Sequence, residues 1–345
     1  MANKGNRGAA GFLAVCLAAS LLWVGASAAE APEQLVPLGS SVGVRVEADG
    51  LLVIGLTEAE PEDGRRSPAE EAGLRTGDLI TWVGSERVST AAQLREALEQ
   101  AGDSVSLRFL RGGREQQVTV RPARGENGVP ELGVWLRSGL SGIGTMTWYD
   151  PRSGFFGALG HAVNDVDTGV LLPLKSGILG KAVIDSVVRG SAGTPGELKG
   201  SMGLEKPIGS IMKNTEAGIF GALEPGSLPE SLGEPVPLCP AAELRCGPAE
   251  ILSDVSGQLR HYSARILRVF NGGGSRDLLI QVTDEELLGL TGGIVQGMSG
   301  SPILQDGRLA GAVTHVLISD PGKGYGISIE DMLAGAFPPA EDRAA

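Results

Sequence analysis

The sequence predicts a mainly β protein with two folded units. Its 345 residues exceed what one small domain needs. The chain has 53 glycines and 20 prolines but only seven Phe, four Trp and three Tyr, which favours short strands joined by many turns over helical bundles. A formal net charge of −12 repels phosphate backbones, so a nucleic-acid-binding role is not expected.

Residues 1–29 are typical of an export signal. Lys4 and Arg7 precede an apolar run, and Ala26-Ser27-Ala28 has the small-residue form of a cleavage site. The run is also just long enough to cross a bilayer, so a cleaved signal peptide and a retained membrane anchor are both open. We expect the rest of the chain outside the cytoplasm, either anchored to the membrane or released.

The next segment carries helix and turn signals. Ser67 is a predicted N-cap, and Gly73 is the left-handed stop of the same short helix. Thr90 and Gln93 form the capping pair of a second helix. Alternating apolar residues on both sides of Gly112-Gly113 then predict a β-hairpin.

The order of these motifs closely resembles a PDZ domain of the bacterial protease-associated type. The motifs are Ser67-Pro68-Ala69, Ala72-Gly73-Leu74 and Gly77-Asp78-Leu79-Ile80, within residues 36–123. The resemblance implies that a peptide C-terminus binds by strand addition, with its carboxylate on the N–H groups of a small-residue loop. We place that loop at Ser41-Val42-Gly43-Val44, with a closed groove as the alternative.

Residues 139–337 contain many short strand-like runs, which predict an all-β barrel or sandwich. A linker at 124–138 precedes this unit, and a tail at 338–345 follows it. Cys239 and Cys246 lie in a Pro-rich loop, where two close cysteines of an exported chain can form a disulfide. No His stands near this pair at ligand spacing, so neither a metal nor a cofactor is expected.

The segment from Gly297 to Pro302, Gly-Met-Ser-Gly-Ser-Pro, carries the clearest chemistry. Its glycines let the backbone curl, so the N–H groups of Gly297 and Ser299 are the predicted oxyanion hole of an acyl-transfer site. Ser299 is the predicted nucleophile, and Ser301 is the alternative serine. Gly/Ser loops of this kind also occur in purely structural hairpins.

A serine nucleophile needs a base, and the chain has three histidines. His161 follows a strand-like run and a glycine, where a side chain can face a cleft, so it is the predicted general base. His261 lies in a polar stretch. His315 lies in an apolar strand, where we expect a core or sheet-face histidine whose hydrogen bonds are satisfied.

Three acids are candidates to orient the base, and the residue pattern alone leaves them open. Asp165 and Asp167 are close to His161 in sequence, which does not decide the matter. Asp284 follows an apolar strand, but it also fits as a first-turn acid of a helix.

Three motifs together strongly resemble the stage IV sporulation protein B peptidases, which are exported serine peptidases with a PDZ domain. The motifs are Gly160-His161-Ala162-Val163, Thr283-Asp284-Glu285-Glu286 and the stretch 292–302. The resemblance runs from residue 36 to residue 337. It implies a chymotrypsin-like β-barrel peptidase domain with His161, Asp284 and Ser299 as the triad.

The resemblance also implies a role in sporulation. Such peptidases cleave themselves and a membrane-anchored regulatory protein between the two membranes around the forespore. That cleavage releases a membrane metalloprotease, which activates a sigma factor. The expected partners are therefore protein substrates, the chain itself and peptide C-termini.

Two other functions are open. A PDZ adaptor with a silent barrel would bind peptides without cleaving them, although the presence of both His161 and Ser299 argues against it. A general exported quality-control protease also joins a barrel to PDZ units. There the PDZ unit usually follows the protease, whereas here it precedes it.

Overall fold

The computed structural model describes residues 32–57, 67–125, 128–228, 233–270 and 276–337. The predicted export segment and the predicted tail lie outside these ranges. Within them, no helix is long and apolar enough to cross a membrane. The described chain is mainly β, as the sequence predicts.

The first part of the chain contains nine strands and two helices within the described ranges. They are β1 (Gln34–Pro37), β2 (Ser41–Leu56), α1 (Pro68–Glu71), β3 (Leu79–Val83), β4 (Glu86–Arg87), α2 (Ala91–Gln100), β5 (Val105–Arg111), β6 (Arg114–Val120), β7 (Ala123–Arg124), β8 (Pro130–Glu131) and β9 (Val134–Tyr149).

The predicted capping residues begin both helices. The Ser67 Oγ accepts from the Glu70 N–H at the start of α1, and Thr90 with Gln93 forms a reciprocal capping box at the start of α2. Apolar side chains from the second half of β2, from β3, β5 and both helices form one core. Its largest members are Leu51, Leu74, Ile80, Leu94, Leu98, Leu107 and Phe109. This core defines the PDZ unit.

The second part contains twelve strands and two α-helices within the described ranges. They are β10 (Phe155–Ala158), β11 (Leu174–Val188), β12 (Glu197–Gly203), β13 (Gly209–Thr215), β14 (Gly218–Leu223), β15 (Val236–Pro237), β16 (Gly247–Ser253), β17 (Arg260–Val269), β18 (Leu278–Val282), α3 (Glu285–Thr291), β19 (Pro302–Gln305), β20 (Arg308–Val316), β21 (Lys323–Ser328) and α4 (Ile329–Ala336). A 3-10 turn lies at Ala241–Glu243.

Two six-stranded circuits form the peptidase unit. The strands β16-β17-β18-β21-β20-β19 close into an antiparallel barrel. The order β9-β10-β14-β13-β11-β2 lies within the larger sheet, and β2 also pairs with β9, so these six strands close a second circuit. Two antiparallel barrels are the architecture that the resemblance to chymotrypsin-like peptidases implies.

The strands β2 and β9 belong to both units. Ser41 pairs with Thr145 in the barrel, whereas Leu56 pairs with Val134 at the PDZ end of the same ladder. The first half of β2 packs mainly in the barrel core, and its second half mainly in the PDZ core. The PDZ unit is therefore inserted between two barrel strands.

This insertion differs from the predicted domain boundaries. Residues 36–48, placed in the PDZ unit from the sequence, lie in the barrel core or its strands, and the predicted linker 124–138 runs into β9. The boundary falls inside the continuous strand β2, so no loop or linker marks it.

The disulfide that the sequence leaves open is not formed in this structure. Cys239 and Cys246 are both free thiols; Cys239 is buried in a barrel core, and Cys246 is exposed. The two side chains face different environments, which spacing along the sequence does not reveal.

Candidate active site

Ser299 lies in the loop between α3 and β19. Gly292 ends α3 in the left-handed conformation, and Gly297 and Gly300 have φ values of 101° and 99°, which glycine adopts far more readily than other residues. The Ser299 Oγ donates to the Thr314 carbonyl oxygen at 2.7 Å. The loop therefore has the sharp turn predicted for a nucleophile, and the Ser299 hydroxyl is hydrogen-bonded to a backbone carbonyl.

The N–H groups of Gly297 and Ser299 donate to no acceptor within the described part of the chain. The Gln296 carbonyl accepts from the Leu198 N–H at 2.9 Å, and the Met298 carbonyl accepts from an N–H three residues later, also at 2.9 Å. The C=O and N–H of a trans peptide unit point in opposite directions. These bonds therefore turn the Gly297 and Ser299 N–H groups away from their neighbours, as an oxyanion hole requires.

His161 follows β10 after a turn in which Leu159 and Gly160 have φ values of 69° and 71°. Its Nδ1 lies 2.7 Å from the Ala162 carbonyl oxygen. A carbonyl only accepts hydrogen bonds, so Nδ1 carries the proton and Nε2 of the neutral ring is left as an acceptor. Burial lowers the pKa of His161 below its usual value, against the opposing effects of the Ala162 carbonyl and Glu216. At neutral pH the ring is therefore in the form that a general base needs.

Ser299 and His161 line one cleft of about 590 Å³. Among the described residues, no side chain that lines this cleft carries a formal charge at neutral pH, and most are aliphatic. They include Val44, Leu140, Ile143, Val163, Val166, Ile294, Val295, Val316 and Ile318. Ser301 is not among them: it is fully buried, and its Oγ has no hydrogen-bond partner within the described residues. The geometry therefore favours Ser299 over Ser301 as the nucleophile.

His315 also lines this cleft, which the sequence did not predict. Its ring centroid lies 4.9 Å from that of His161. Burial lowers the pKa of His315 to about 4, with smaller contributions from His161 and Arg276, so the ring is neutral. Its Nδ1 is buried and has no partner within the described residues, so the expectation of a satisfied sheet-face histidine is wrong. A shift in strand register beside His315 places it here, and that shift has no local sequence signal.

None of the three candidate acids, Asp165, Asp167 and Asp284, forms a hydrogen bond with His161 in this structure. The Asp284 carboxylate accepts from the Leu287 N–H at 3.0 Å as the N-cap of α3, and from the Ser263 N–H at 3.2 Å. Asp165 and Asp167 bind Arg137 instead. The orienting role of Asp284 stays a prediction. The acceptor that contacts His161 here is the Ala162 carbonyl.

The predicted carboxylate loop at Ser41, Val42, Gly43 and Val44 is wrong. These residues pair with β9 on one side, and Val42 to Val44 pair with β11 on the other, so most of this segment has no free strand edge. The partner strands lie far away along the chain, and local sequence does not reveal such pairing.

A groove of the expected kind lies between α2 and the start of β9. Leu94 and Leu98 of α2 line it, together with the small-residue stretch Leu132-Gly133-Val134. Within the described residues, β9 pairs there only with β2, so its other edge is free for strand addition. Gly133 has a φ of 67°. The sequence signal that could have located this groove is the Leu-Gly-Val stretch that leads into β9.

Arg137 connects that strand to the wall of the cleft that Ser299 and His161 line. It is on β9 and forms ion pairs with the buried Asp165 and, at 2.8 Å, with Asp167. Although burial acts against it, hydrogen bonds from Arg137 and Thr168 hold the pKa of Asp165 below its usual value. Val166, between the two acids, lines the cleft. The cleft wall is therefore fixed to the strand that borders the groove.

The fold and this site define a PDZ-containing serine peptidase as the class of protein. The profile of the PDZ family matches residues 64–111. The profile of the SpoIVB peptidase S55 family matches residues 129–333, more than half of the chain. The chain therefore belongs to the SpoIVB peptidase S55 family, as the resemblance predicted.

Curated relatives match over short stretches. A putative serine protease HhoA of Synechocystis sp. is 37% identical over 83 residues, 24% of this chain and 19% of the relative. Serine protease HTRA1 of Xenopus tropicalis is 34% identical over 56 residues, 16% of this chain and 12% of the relative. The chain thus spans less than a fifth of the length of these relatives.

Solved structures are similar at low identity. The Rv3671c protease of M. tuberculosis in its active form is 18% identical, with 47% of this chain and 73% of that chain covered and a TM-score of 0.28. The PDZ domain of the SdrC-like protein of Listeria monocytogenes is 24% identical, with 26% and 90% covered and a TM-score of 0.22.

Proposed function

We propose that this protein is an exported serine endopeptidase that cleaves itself and a membrane-associated regulatory protein in sporulation signalling, leading to sigma-factor activation. Membership of the SpoIVB peptidase S55 family supports the signalling role. The observation that carries the catalytic proposal is the shared cleft, in which Ser299 and His161 lie beside two N–H groups that have no acceptor within the described residues. Action outside the cytoplasm is part of the proposal and rests on residues 1–29.

The proposed reaction uses these groups in order. The Ser299 hydroxyl leaves the Thr314 carbonyl, gives its proton to His161 Nε2, and its oxygen attacks the scissile carbonyl. The N–H groups of Gly297 and Ser299 stabilise the resulting oxyanion. The protonated His161 then protonates the leaving amine as the C–N bond breaks. Water hydrolyses the acyl-enzyme by the same proton transfers in reverse.

The lining of the cleft supports an uncharged, apolar substrate segment. A charged side chain would lose its hydration there without gaining a charged partner, which is costly. We therefore propose cleavage next to aliphatic residues. Peptides with Leu or Val at the cleavage position should be cut about a hundredfold faster, by kcat/KM, than those with Asp or Lys.

One observation favours the alternative of a silent PDZ adaptor: the Ser299 hydroxyl is bound to Thr314 rather than to His161. Labelling of the full chain with a fluorophosphonate probe distinguishes the two functions. An active peptidase is labelled, and Ser299→Ala abolishes labelling and lowers turnover by about four orders of magnitude. Ser301→Ala, the matched control, keeps both. An unlabelled wild-type chain that still binds peptide C-termini would establish the adaptor.

A further variant in the same experiment tests whether Asp284 orients His161. Asp284→Asn keeps the helix N-cap, since Asn caps helices as well as Asp. A steep loss of labelling would assign the orienting role to Asp284. Labelling at the wild-type rate would assign it to the Ala162 carbonyl, which already contacts His161.

A further inference from the structure

Thr145 of β9 contacts the nucleophile loop through two donors. Its backbone N–H donates to the Ser299 carbonyl oxygen at 2.9 Å. Its Oγ1 donates to the Gly297 carbonyl oxygen at 2.8 Å, and the residue is 1% exposed. The two carbonyls belong to the same two residues whose N–H groups form the predicted oxyanion hole.

Thr145 also contacts the turn that leads to His161. Its carbonyl oxygen accepts from the Leu159 N–H at 3.2 Å, two residues before the base. The three segments are closely packed, because a Cβ on Gly300 would lie 2.0 Å from the Thr145 carbonyl oxygen. A single buried residue therefore fixes the serine loop and the histidine turn relative to each other.

The Thr145 hydroxyl is the one side-chain donor among the described groups that bind the carbonyls of residues 296–299. Four successive carbonyls of the loop, from Gln296 to Ser299, each accept a hydrogen bond from another part of the protein or from the loop itself. Three of the four donors are backbone N–H groups, and the fourth is the Thr145 hydroxyl. Each bond helps to set the plane of one peptide unit. The unit between the two oxyanion donors is held on one side by the Thr145 hydroxyl and on the other by the Met298 N–H, which donates to the Val295 carbonyl oxygen at 3.1 Å. Loss of the hydroxyl therefore leaves this unit with one of its two hydrogen bonds.

We infer that Thr145 is a positioning residue for the oxyanion hole, an inference that rests on the proposed peptidase function. Thr145 does not line the cleft. It acts by holding the Gly297–Met298 peptide unit, so that the N–H groups on both sides of that unit converge on one oxygen. An oxyanion hole stabilises the transition state more than the ground state, so we expect the effect in kcat rather than in KM.

The chain offers a matched control on the same strand. Thr147 is fully buried, two residues further along β9, and its Oγ1 has no hydrogen-bond partner within the described residues. Thr145→Val and Thr147→Val are the same chemical change at neighbouring buried sites. Only the first removes a hydrogen bond to the loop.

The test measures kcat and KM for a chromogenic aliphatic peptide, the fluorophosphonate labelling rate and the melting temperature of the full chain. Removal of one oxyanion donor in serine proteases costs about a hundredfold or more in kcat, and misplacement of one should cost part of that. We expect Thr145→Val to lower kcat by about ten- to a hundredfold with KM changed less than about threefold. Thr145→Ser should restore kcat to within about threefold, and Thr147→Val should leave it unchanged.

Three results would overturn the inference: wild-type kcat in Thr145→Val, an equal loss of kcat in Thr145→Ser, or an equal loss in Thr147→Val. If Thr145→Val does not fold, Thr145→Ser and Thr147→Val still decide, because a positioning role requires both to keep wild-type kcat. Failure of the proposed function would look different. The wild-type chain would then be neither labelled nor active.

Discussion

Gly300 follows Ser299 in the loop. Its replacement by Ala should strongly destabilise the fold for two separable reasons. Its φ of 99° lies in the region that costs an L-residue about 1–2 kcal/mol. In addition, the new Cβ would lie 2.0 Å from the Thr145 carbonyl oxygen and 2.6 Å from the Leu159 backbone nitrogen. Such overpacking typically costs a further 1–3 kcal/mol, so we expect Gly300→Ala to lower the free energy of unfolding by about 2–5 kcal/mol.

Gly307 provides the control, because it has a φ of 74° but no neighbouring atom within 4 Å of the position of a Cβ. Gly307→Ala should cost only the backbone term, about 1 kcal/mol, and keep the labelling rate. Urea unfolding followed by circular dichroism gives the two costs, and fluorophosphonate labelling gives the activity. Gly300→Ala should be barely labelled. Equal destabilisation by the two changes, or wild-type labelling of Gly300→Ala, would refute the role given to close packing beside Ser299.

Three further predictions concern pH and packing. Because burial lowers the pKa of His161, the labelling rate should fall on acidification through a pKa below 6.5; a midpoint at or above that value would contradict the buried geometry. Burial raises the pKa of Asp277 to about 6, with a contribution from Asp331, so the folded state binds more protons than the unfolded state between about pH 4 and 6. The free energy of unfolding should therefore decrease as pH rises from about 4 to 6. Urea titrations at these two pH values should show this decrease in the wild-type chain and a smaller one in Asp277→Asn. Gly43→Val should destabilise the barrel by about 1–3 kcal/mol, because a Cβ at position 43 would lie 2.6 Å from the Met202 Cβ. Cleavage of peptide and ester substrates should therefore fall together. If the change weakened only the binding of peptide C-termini, the original prediction of a peptide-binding loop at residues 41–44 would be right after all.

The parts of the fold that local chemistry determines could be predicted from the sequence. The caps at Ser67 and Thr90 satisfy N–H groups within three residues, so their pattern identifies them. The turn around Ser299 is local in the same sense, because glycines at 297 and 300 provide the positive φ values that it needs.

The parts that depend on distant partners could not be predicted in this way. Val42 lies in the sheet interior because Gly144 and Lys181 pair with it, more than a hundred residues away. His315 is a different case, because its pairing partner Tyr325 lies on the next strand, β21; its place in the cleft depends on a register shift between the two strands that has no local sequence signal. Asp284 has two local interpretations, as a triad acid or as a helix-start acid. Its carboxylate here accepts from the Ser263 and Leu287 N–H groups, and its orienting role stays a prediction.

Ser299 and Asp284 differ in the hydrogen bonds that each would have to break in order to contact His161. Rotation of the Ser299 side chain from Thr314 toward His161 breaks one hydrogen bond, a net cost of about 0.5–1.5 kcal/mol, which thermal motion readily provides. Moving Asp284 to His161 would break two hydrogen bonds to backbone N–H groups, one from Ser263 and one from Leu287, the second of which is the N-cap bond of α3; together they are worth roughly 2–5 kcal/mol. The Ala162 carbonyl already holds the Nδ1 proton at no such cost. In the arrangement described here, the Gly297 and Ser299 N–H groups have no acceptor within the described residues, and His161 carries its proton on Nδ1. The proposed attack therefore requires Ser299 to give up its hydrogen bond to Thr314, whereas it requires no new contact at Nδ1 of His161.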